Sequence, residues 1–520
     1  MARFGADSVR RSGVVVAAVA IALVTGCAFM RSTDPYAPVK GYSRFGSEDV
    51  RPIEVAAVRG PLSLERCVEI ALTNNPELAA EAWDVRASNE RVRAARAARW
   101  PSLHAVGGYR HYLDEQRLIP AKYNGESGAF DDDIFSADVV ASMPLFTGGR
   151  ISSEIKSLQL QLAAARQRLV RTREDLIFQV SRTFYSILGR RRVVESLEFS
   201  QKALNEHRQR VVSLMEADKA APVDLLRVEV RIADLEQRSV FERNILDLEH
   251  RLIANLMGLD EDRAKISIAG TLTPAEMPAN QQGAVARALA NRADYLAARA
   301  ELEAQAKRVD MARAARWPTL TLSGSYGERW AASPAKTRVS TSQPTAVPTA
   351  APTPAPSPSP EPKSKSANAS SSGYSSSQAR GGSAGAPSES GTVAWVGVSF
   401  DVPLFEWGRI TARIDEERAK LAAAQQRLRR LELQLRLEVE SAIFNLTSAR
   451  QRIQATEKAV EQAEESFRIE QEKYAQGKGS ITDVLDAQGA LLDAQTNHYR
   501  ALADYHVSLA QLRLAVGQEQ

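Results

Sequence analysis

Two carboxylates, Asp483 and Asp486, stand three positions apart in the segment Tyr474-Ala475-Gln476-Gly477-Lys478-Gly479-Ser480-Ile481-Thr482-Asp483-Val484-Leu485-Asp486-Ala487. That spacing puts both side chains on one helix face. Carboxylates gathered in a narrow aqueous passage repel one another and attract cations, which selects against anions. Taken singly, Asp483 also reads as a helix-capping acid and Asp486 as a solvated residue. Catalytic chemistry is not suggested. The six histidines, His104, His111, His207, His250, His498 and His506, are scattered without ligand spacing, and no Gly-rich phosphate loop or nucleophile motif accompanies them. His498 and His506 share a helix face but lie too far apart to chelate one metal. Neither an enzyme nor a cofactor or metal is expected.

The elements that must position the two acids are long helices. From Gly149 onward Ile151, Ile155, Leu158, Leu162, Ala165, Leu169, Thr172 and Leu176 form a heptad seam, and Ile410, Ile414, Leu421, Ala424, Leu428, Leu431 and Leu435 form another. The first pattern breaks at residues 216–222 and the second at 476–479, so each helix is a rod of about 100 Å at 1.5 Å per residue. Helices of half that length are expected over 223–257, 283–316, 482–516 and 63–99, the last with a break near Asn74-Asn75-Pro76. The economical packing lays each long helix beside two short ones placed end to end, with 259–282 as a non-heptad connector at mid-height.

The chain also says the same thing twice. Arg96-Ala97-Ala98-Arg99-Trp100-Pro101-Ser102-Leu103 recurs as Arg313-Ala314-Ala315-Arg316-Trp317-Pro318-Thr319-Leu320. Pro144-Leu145-Phe146 with Gly149-Arg150 recurs as Pro403-Leu404-Phe405 with Gly408-Arg409, 259 positions on, and the offset then carries Asp224 to Asp483 and Gly258 to Gly517. After Trp100-Pro101 the period changes to two, and the counterpart of residues 136–143 in the second repeat, just before Pro403, shows the same period. Leu103, Ala105, Gly107 and Tyr109 alternate with Ser102, His104 and Gly108, and Val396, Val398, Phe400 and Val402 alternate with Gly397, Ser399 and Asp401. One apolar and one polar face over about ten residues suits a tilted strand between lipid and water. Residues 113–134 read as a polar loop before a second strand at 136–143. Residues 331–390, almost entirely Ser, Pro, Ala, Thr and Gly, read as a disordered extracellular loop.

At the N-terminus, Arg3, Arg10 and Arg11 precede an apolar run that ends in Val24-Thr25-Gly26-Cys27. The run is too short to span a bilayer and fits a secretory signal with Cys27 as the lipid-bearing residue after cleavage. With Cys67 the only other cysteine, no disulfide is expected. A net charge of +4, with 67 basic and 63 acidic residues, gives solvated helix faces rather than a nucleic-acid surface. No later segment is apolar enough for a membrane helix, so any membrane crossing must be made by strands.

The Trp-Pro junctions, the Pro-Leu-Phe…Gly-Arg junctions, the duplication and the lipoprotein signal together resemble the outer membrane efflux proteins, over residues 63–517 apart from the low-complexity loop. The resemblance implies an α+β membrane channel in which long helices form a coiled-coil-like α-barrel. Four strands per subunit would join a trimeric 12-stranded β-barrel. It divides the chain into a signal peptide (1–26), a lipidated tether (27–62), a first repeat (63–258), an equatorial connector (259–282), a second repeat (283–517) and a tail (518–520). It implies a homotrimer, a periplasmic adaptor protein, an inner-membrane pump of the RND or ABC type and outer-membrane lipid as partners. The protein would sit in the outer membrane and reach into the periplasm.

By the same resemblance the helix turns are periplasmic tips where the adaptor docks, at Gly477, Lys478, Gly479, Asp218 and Lys219. Asp483 and Asp486 match the family's acidic pair at the closed entrance, and Tyr474 with Asp224 forms a latch. The first tip, Met215-Glu216-Ala217-Asp218-Lys219-Ala220-Ala221-Pro222-Val223-Asp224, departs by putting Asp218 where the second has Gly477. Gly479 occupies the place of the family's basic gate residue. The expected function is passive exit of small molecules from a tripartite pump. Type I protein secretion is the alternative, then a purely structural coiled-coil lipoprotein. No Met or His cluster suggests copper or silver export.

Overall fold

The computed structural model describes residues 60–123, 126, 128–218, 221–259, 266–273, 283–331, 336–338 and 390–517. Cys27, the signal segment and most of the tether lie outside them, as do Lys219 and most of the low-complexity segment.

Eight helices are found among these residues: α1 (Leu64–Asn74), α2 (Pro76–Ala97), α3 (Arg150–Glu216), α4 (Pro222–Leu256), α5 (Ala284–Asn291), α6 (Ala293–Ala314), α7 (Arg409–Ala475) and α8 (Ile481–Val516). The strands are β1 (Pro61–Leu62), β2 (Ser102–Arg117), β3 (Gly128–Phe146), β4 (Ser267–Ile268), β5 (Thr319–Ala331), β6 (Lys336–Arg338) and β7 (Ser390–Asp401). Both long helices have 67 residues, and their ends lie 259 positions apart.

α3 packs against α2 and α6 over its strand-proximal part and against α4 and α8 toward its other end; α7 packs against α5, α6 and α8. Each rod thus lies beside short helices placed end to end. One core joins Val439, Leu446 and Ile453 of α7 to Leu502, Tyr505 and Leu509 of α8. A second joins Leu197, Leu204 and Val211 of α3 to Val228 and Leu235 of α4 and to Ile481, Leu485 and Leu492 of α8.

The segment expected as one helix over 283–316 is broken. Arg292 adopts an extended backbone between α5 and α6. Its guanidinium, 2% exposed, is held by Asp294 at 2.6 Å and by Glu438 of α7 at 2.7 Å. Proline announces the matching break between α1 and α2; here the break carries a buried arginine, tied to the nearby Asp294 and to Glu438 of another helix that local sequence does not reveal. The non-heptad connector contains β4, which pairs in parallel with β1.

The strands run longer than expected. The polar loop placed at 113–134 is largely strand, because β2 continues to Arg117 and β3 begins at Gly128, with Arg117 opposite Phe130 and Gln116 opposite Asp131. Asp131, Asp132 and Asp133 read as breakers by propensity, but pairing across the sheet overrides propensity. The low-complexity reading of 331–390 also needs trimming: β6 pairs antiparallel with residues 128–130 of β3, and β7 starts at Ser390. The sheet order is β2-β3-β5-β7, antiparallel throughout, with β6 beside β3.

The register keeps the two faces distinct. Ala105, Val139, Tyr326 and Ala394 form one cross-strand row, and Leu103, Ala141, Gly324 and Val396 another on the same face; Ser102, Ser142, Ser323 and Gly397 form a row on the opposite face. Pro144 coincides with a register shift, where a missing N–H is tolerated. Among the described residues no helix is long and apolar enough to cross a membrane.

Candidate functional site at the helix tips

The turn after α7 closes in a left-handed residue. Lys478 N–H donates to Lys473 O at 2.8 Å and Gly477 N–H to Tyr474 O at 2.9 Å, with Gly477 at φ +74°. This paired bonding satisfies the last carbonyls of the helix and favours glycine at that point. The turn after α3 repeats it with Asp218 at φ +58°, whose N–H donates to Met215 O at 3.0 Å. Aspartate is one of the few side chains that tolerate this region. Pro222 opens α4 without a side-chain cap. Gly479 is needed for space: a Cβ there would lie 3.1 Å from the Cβ of Lys473.

At the start of α8, Ser480 Oγ accepts from the Thr482 N–H at 3.1 Å and Asp483 Oδ2 accepts from the Ser480 N–H at 3.1 Å. Asp483 therefore caps its own helix. Asp486, one turn on, has no hydrogen bond or ion pair among the described residues. Both carboxylates are exposed, flanked by buried Val484, Leu485 and Ala487, so they do share one helix face.

Tyr474 is half-buried against the α3–α4–α8 core. Burial, and then the negative charge of Asp224, push its hydroxyl pKa up. No direct hydrogen bond joins Tyr474 to Asp224; Asp224 instead lies 3.6 Å from Arg227, which donates to Thr482 Oγ1 across the α4–α8 seam at 3.1 Å. Further along that seam Arg238 approaches Asp493 at 3.7 Å and Glu242 holds Arg500 at 2.9 Å. Arg227 is thus the basic residue that joins Asp224 to the start of α8. Its signal in the sequence is the Asp224…Arg227 spacing of three.

His207 was also overlooked among the scattered histidines. It is 9% exposed, packs 5.3 Å from the Tyr474 ring and leaves Nε2 without a partner. Burial, then nearby Arg210, hold its imidazole pKa below the ordinary value. Its place between Leu204 and Val211 on the seam was the available clue. Among the described residues no cluster of His, Cys, Asp and Glu could hold a metal ion.

Comparison with known proteins places this geometry. The family described as outer membrane efflux protein matches residues 67–258 and 366–518. The outer membrane protein TolC of Vibrio cholerae is 20% identical over 90% of this chain and 94% of its own length. The pyoverdine export outer membrane protein OpmQ of Pseudomonas putida is 25% identical over 87% of this chain and 84% of its own. Among solved structures, the outer-membrane channel OprN superposes with a TM-score of 0.68 at 18% identity, covering 88% of this chain and 90% of OprN. VceC from Vibrio cholerae gives 0.67 at 18%, covering 88% of this chain and 96% of VceC. With two long rods, a sheet of alternating faces and the matched segments in agreement, the chain belongs to the outer membrane efflux protein family.

Proposed function

We propose that this protein is the outer-membrane exit duct of a tripartite efflux pump, working as a homotrimer. The observation that carries the reading is the sheet: β2 and β7 are edge strands, each with one side unpaired among the described residues, on a sheet with one apolar and one polar face. In a bilayer, open edges leave backbone groups unpaired, and closure with two more copies removes them. Apolar faces left uncovered on the helices support the same closure: Leu226, Val230 and Leu248 of α4, and Leu433, Leu437 and Phe444 of α7, are all exposed.

In this reading three sheets form a 12-stranded β-barrel, the rods continue it as an α-barrel, and the tips meet a periplasmic adaptor and an inner-membrane pump. Asp483 and Asp486 are the selectivity acids, Tyr474, Asp224 and Arg227 hold the entrance, and Cys27 carries lipid. The test is an outer-membrane fraction run on a semi-denaturing gel. A trimer band that survives alkaline wash is expected; a monomer released by the wash would leave only the surface-lipoprotein reading.

A further inference from the structure

Where α6 lies between α3 and α7, the three helices enclose an open groove of about 580 Å³. Half-buried Leu302, Leu428 and Leu431 supply its apolar part. Arg168, Arg308, Lys420, Arg427 and Arg430 line it against one carboxylate, Glu301. Glu301 is already ion-paired with Arg168, and Lys420 with Glu416 and Glu417. Arg308 donates to Gln305 Oε1 at 3.2 Å. Arg427 and Arg430 have no carboxylate within ion-pair distance among the described residues.

A second cavity of about 420 Å³ shares Gln161 and Arg308 with the first and extends it toward the strands. It adds Arg150 and Arg413, also unpaired, over Leu158 and Met311; its own acids, Glu154 and Glu417, pair with neither arginine.

The first repeat handles the same residues differently. Arg168 and Arg171 stand 259 positions before Arg427 and Arg430, and both are compensated, Arg168 by Glu301 and Arg171 by Asp175 at 2.8 Å. The second repeat keeps the arginines without their partners. A guanidinium fork matches phosphate, sulfonate and carboxylate oxygens two at a time, and the groove is within the size range of small-molecule sites.

We propose that this groove binds an amphiphilic anion, with its charged head on Arg427, Arg430 and Arg308 and its apolar body on the leucines. The head group comes either from a membrane phospholipid or from a soluble amphiphile, and competition separates the two.

The experiment uses the full chain in maltoside micelles with the fluorescent aromatic anion 8-anilinonaphthalene-1-sulfonate, and the uncharged N-phenyl-1-naphthylamine as the matched neutral probe. Saturable binding of the anion is expected, weakened tenfold or more by the Arg427→Gln/Arg430→Gln pair and only partly by the corresponding lysines. Arg429→Gln, which removes a side chain paired with Glu432 at 3.1 Å, should bind as the parent does. Displacement by phosphatidylglycerol in mixed micelles assigns the lipid source, and displacement by taurocholate alone the soluble one. Equal binding of the neutral probe, an unaffected double variant, or displacement by neither competitor would overturn the proposal.

Discussion

Asp483 and Asp486 share a face but not a situation. Asp483 accepts from the Ser480 N–H, so Asp483→Asn disturbs a cap, at a cost of about 0.5–1 kcal/mol. Asp486→Asn loses only charge. In planar-bilayer recordings Asp486→Asn alone should lower cation preference, and the double variant should lower it further while the trimer persists; unchanged selectivity in both would remove the acidic-ring assignment. His207 supplies a pH dependence. Its imidazole is held below the ordinary value of 6.5 by burial and Arg210, so the unfolded chain binds the proton more readily than the folded one. Stability at the tip is therefore full above about 6.5 and declines as pH falls toward the depressed value. Amide protection near residues 207 and 474, taken relative to the intrinsic exchange rate at each pH, should fall between pH 7 and pH 5, and His207→Phe should flatten that response. A flat profile in the parent would show that the buried imidazole does not govern the tip. The Asp pair was legible because adjacent residues of one segment carry it. His207 and Arg227 were not, because their importance lies in Tyr474 and Thr482, more than 250 positions away in each case.

Rods and junctions were legible in the sequence because heptads repeat for many turns and because glycine and proline mark their ends. Arg150 and Arg409 follow Gly149 and Gly408, both left-handed, as the shared motif implies. The loop-side ends of the first hairpin's strands were not, since Asp131 to Asp133 hide a paired strand behind a loop composition, and the Arg292 break involves Glu438 of another helix. The junction before α7 shows what duplication leaves to chance. Gly148, at φ +60°, has Trp407 as its counterpart 259 positions on, at φ +50°, and Trp407 is exposed with its ring 5.0 Å from Phe405. At the tips the same comparison can be tested. A β-branched residue in the left-handed region costs roughly 1–2 kcal/mol, so Gly477→Val and Asp218→Val should each lower the temperature at which the gel-stable trimer dissociates. Asp218→Gly should leave it nearly unchanged. Equal tolerance of valine at both positions would mean that neither turn limits stability.

At the scale of the whole molecule, one chain presents a sheet with two open edges among the described residues, and the proposed closure with further copies would pair both. In the sequence the Ser/Pro-rich segment joins β5 to β7, and long insertions between strands cost little, about 0.6 kcal/mol for each doubling of length. Its start is another matter. Lys336, Thr337 and Arg338 pair with Phe130, Ala129 and Gly128, extending the sheet beyond Ala331 and covering the end of β3. Two deletions therefore separate linker from structure. Removing 339–388 and keeping Lys336–Arg338 should leave outer-membrane trimers at parental yield. Extending the deletion to 332–388 exposes the 128–130 edge of β3 and should reduce trimer yield or its heat resistance on the gel. If the shorter deletion already abolishes the trimer, the low-complexity segment is part of the assembly rather than a connection between two of its strands.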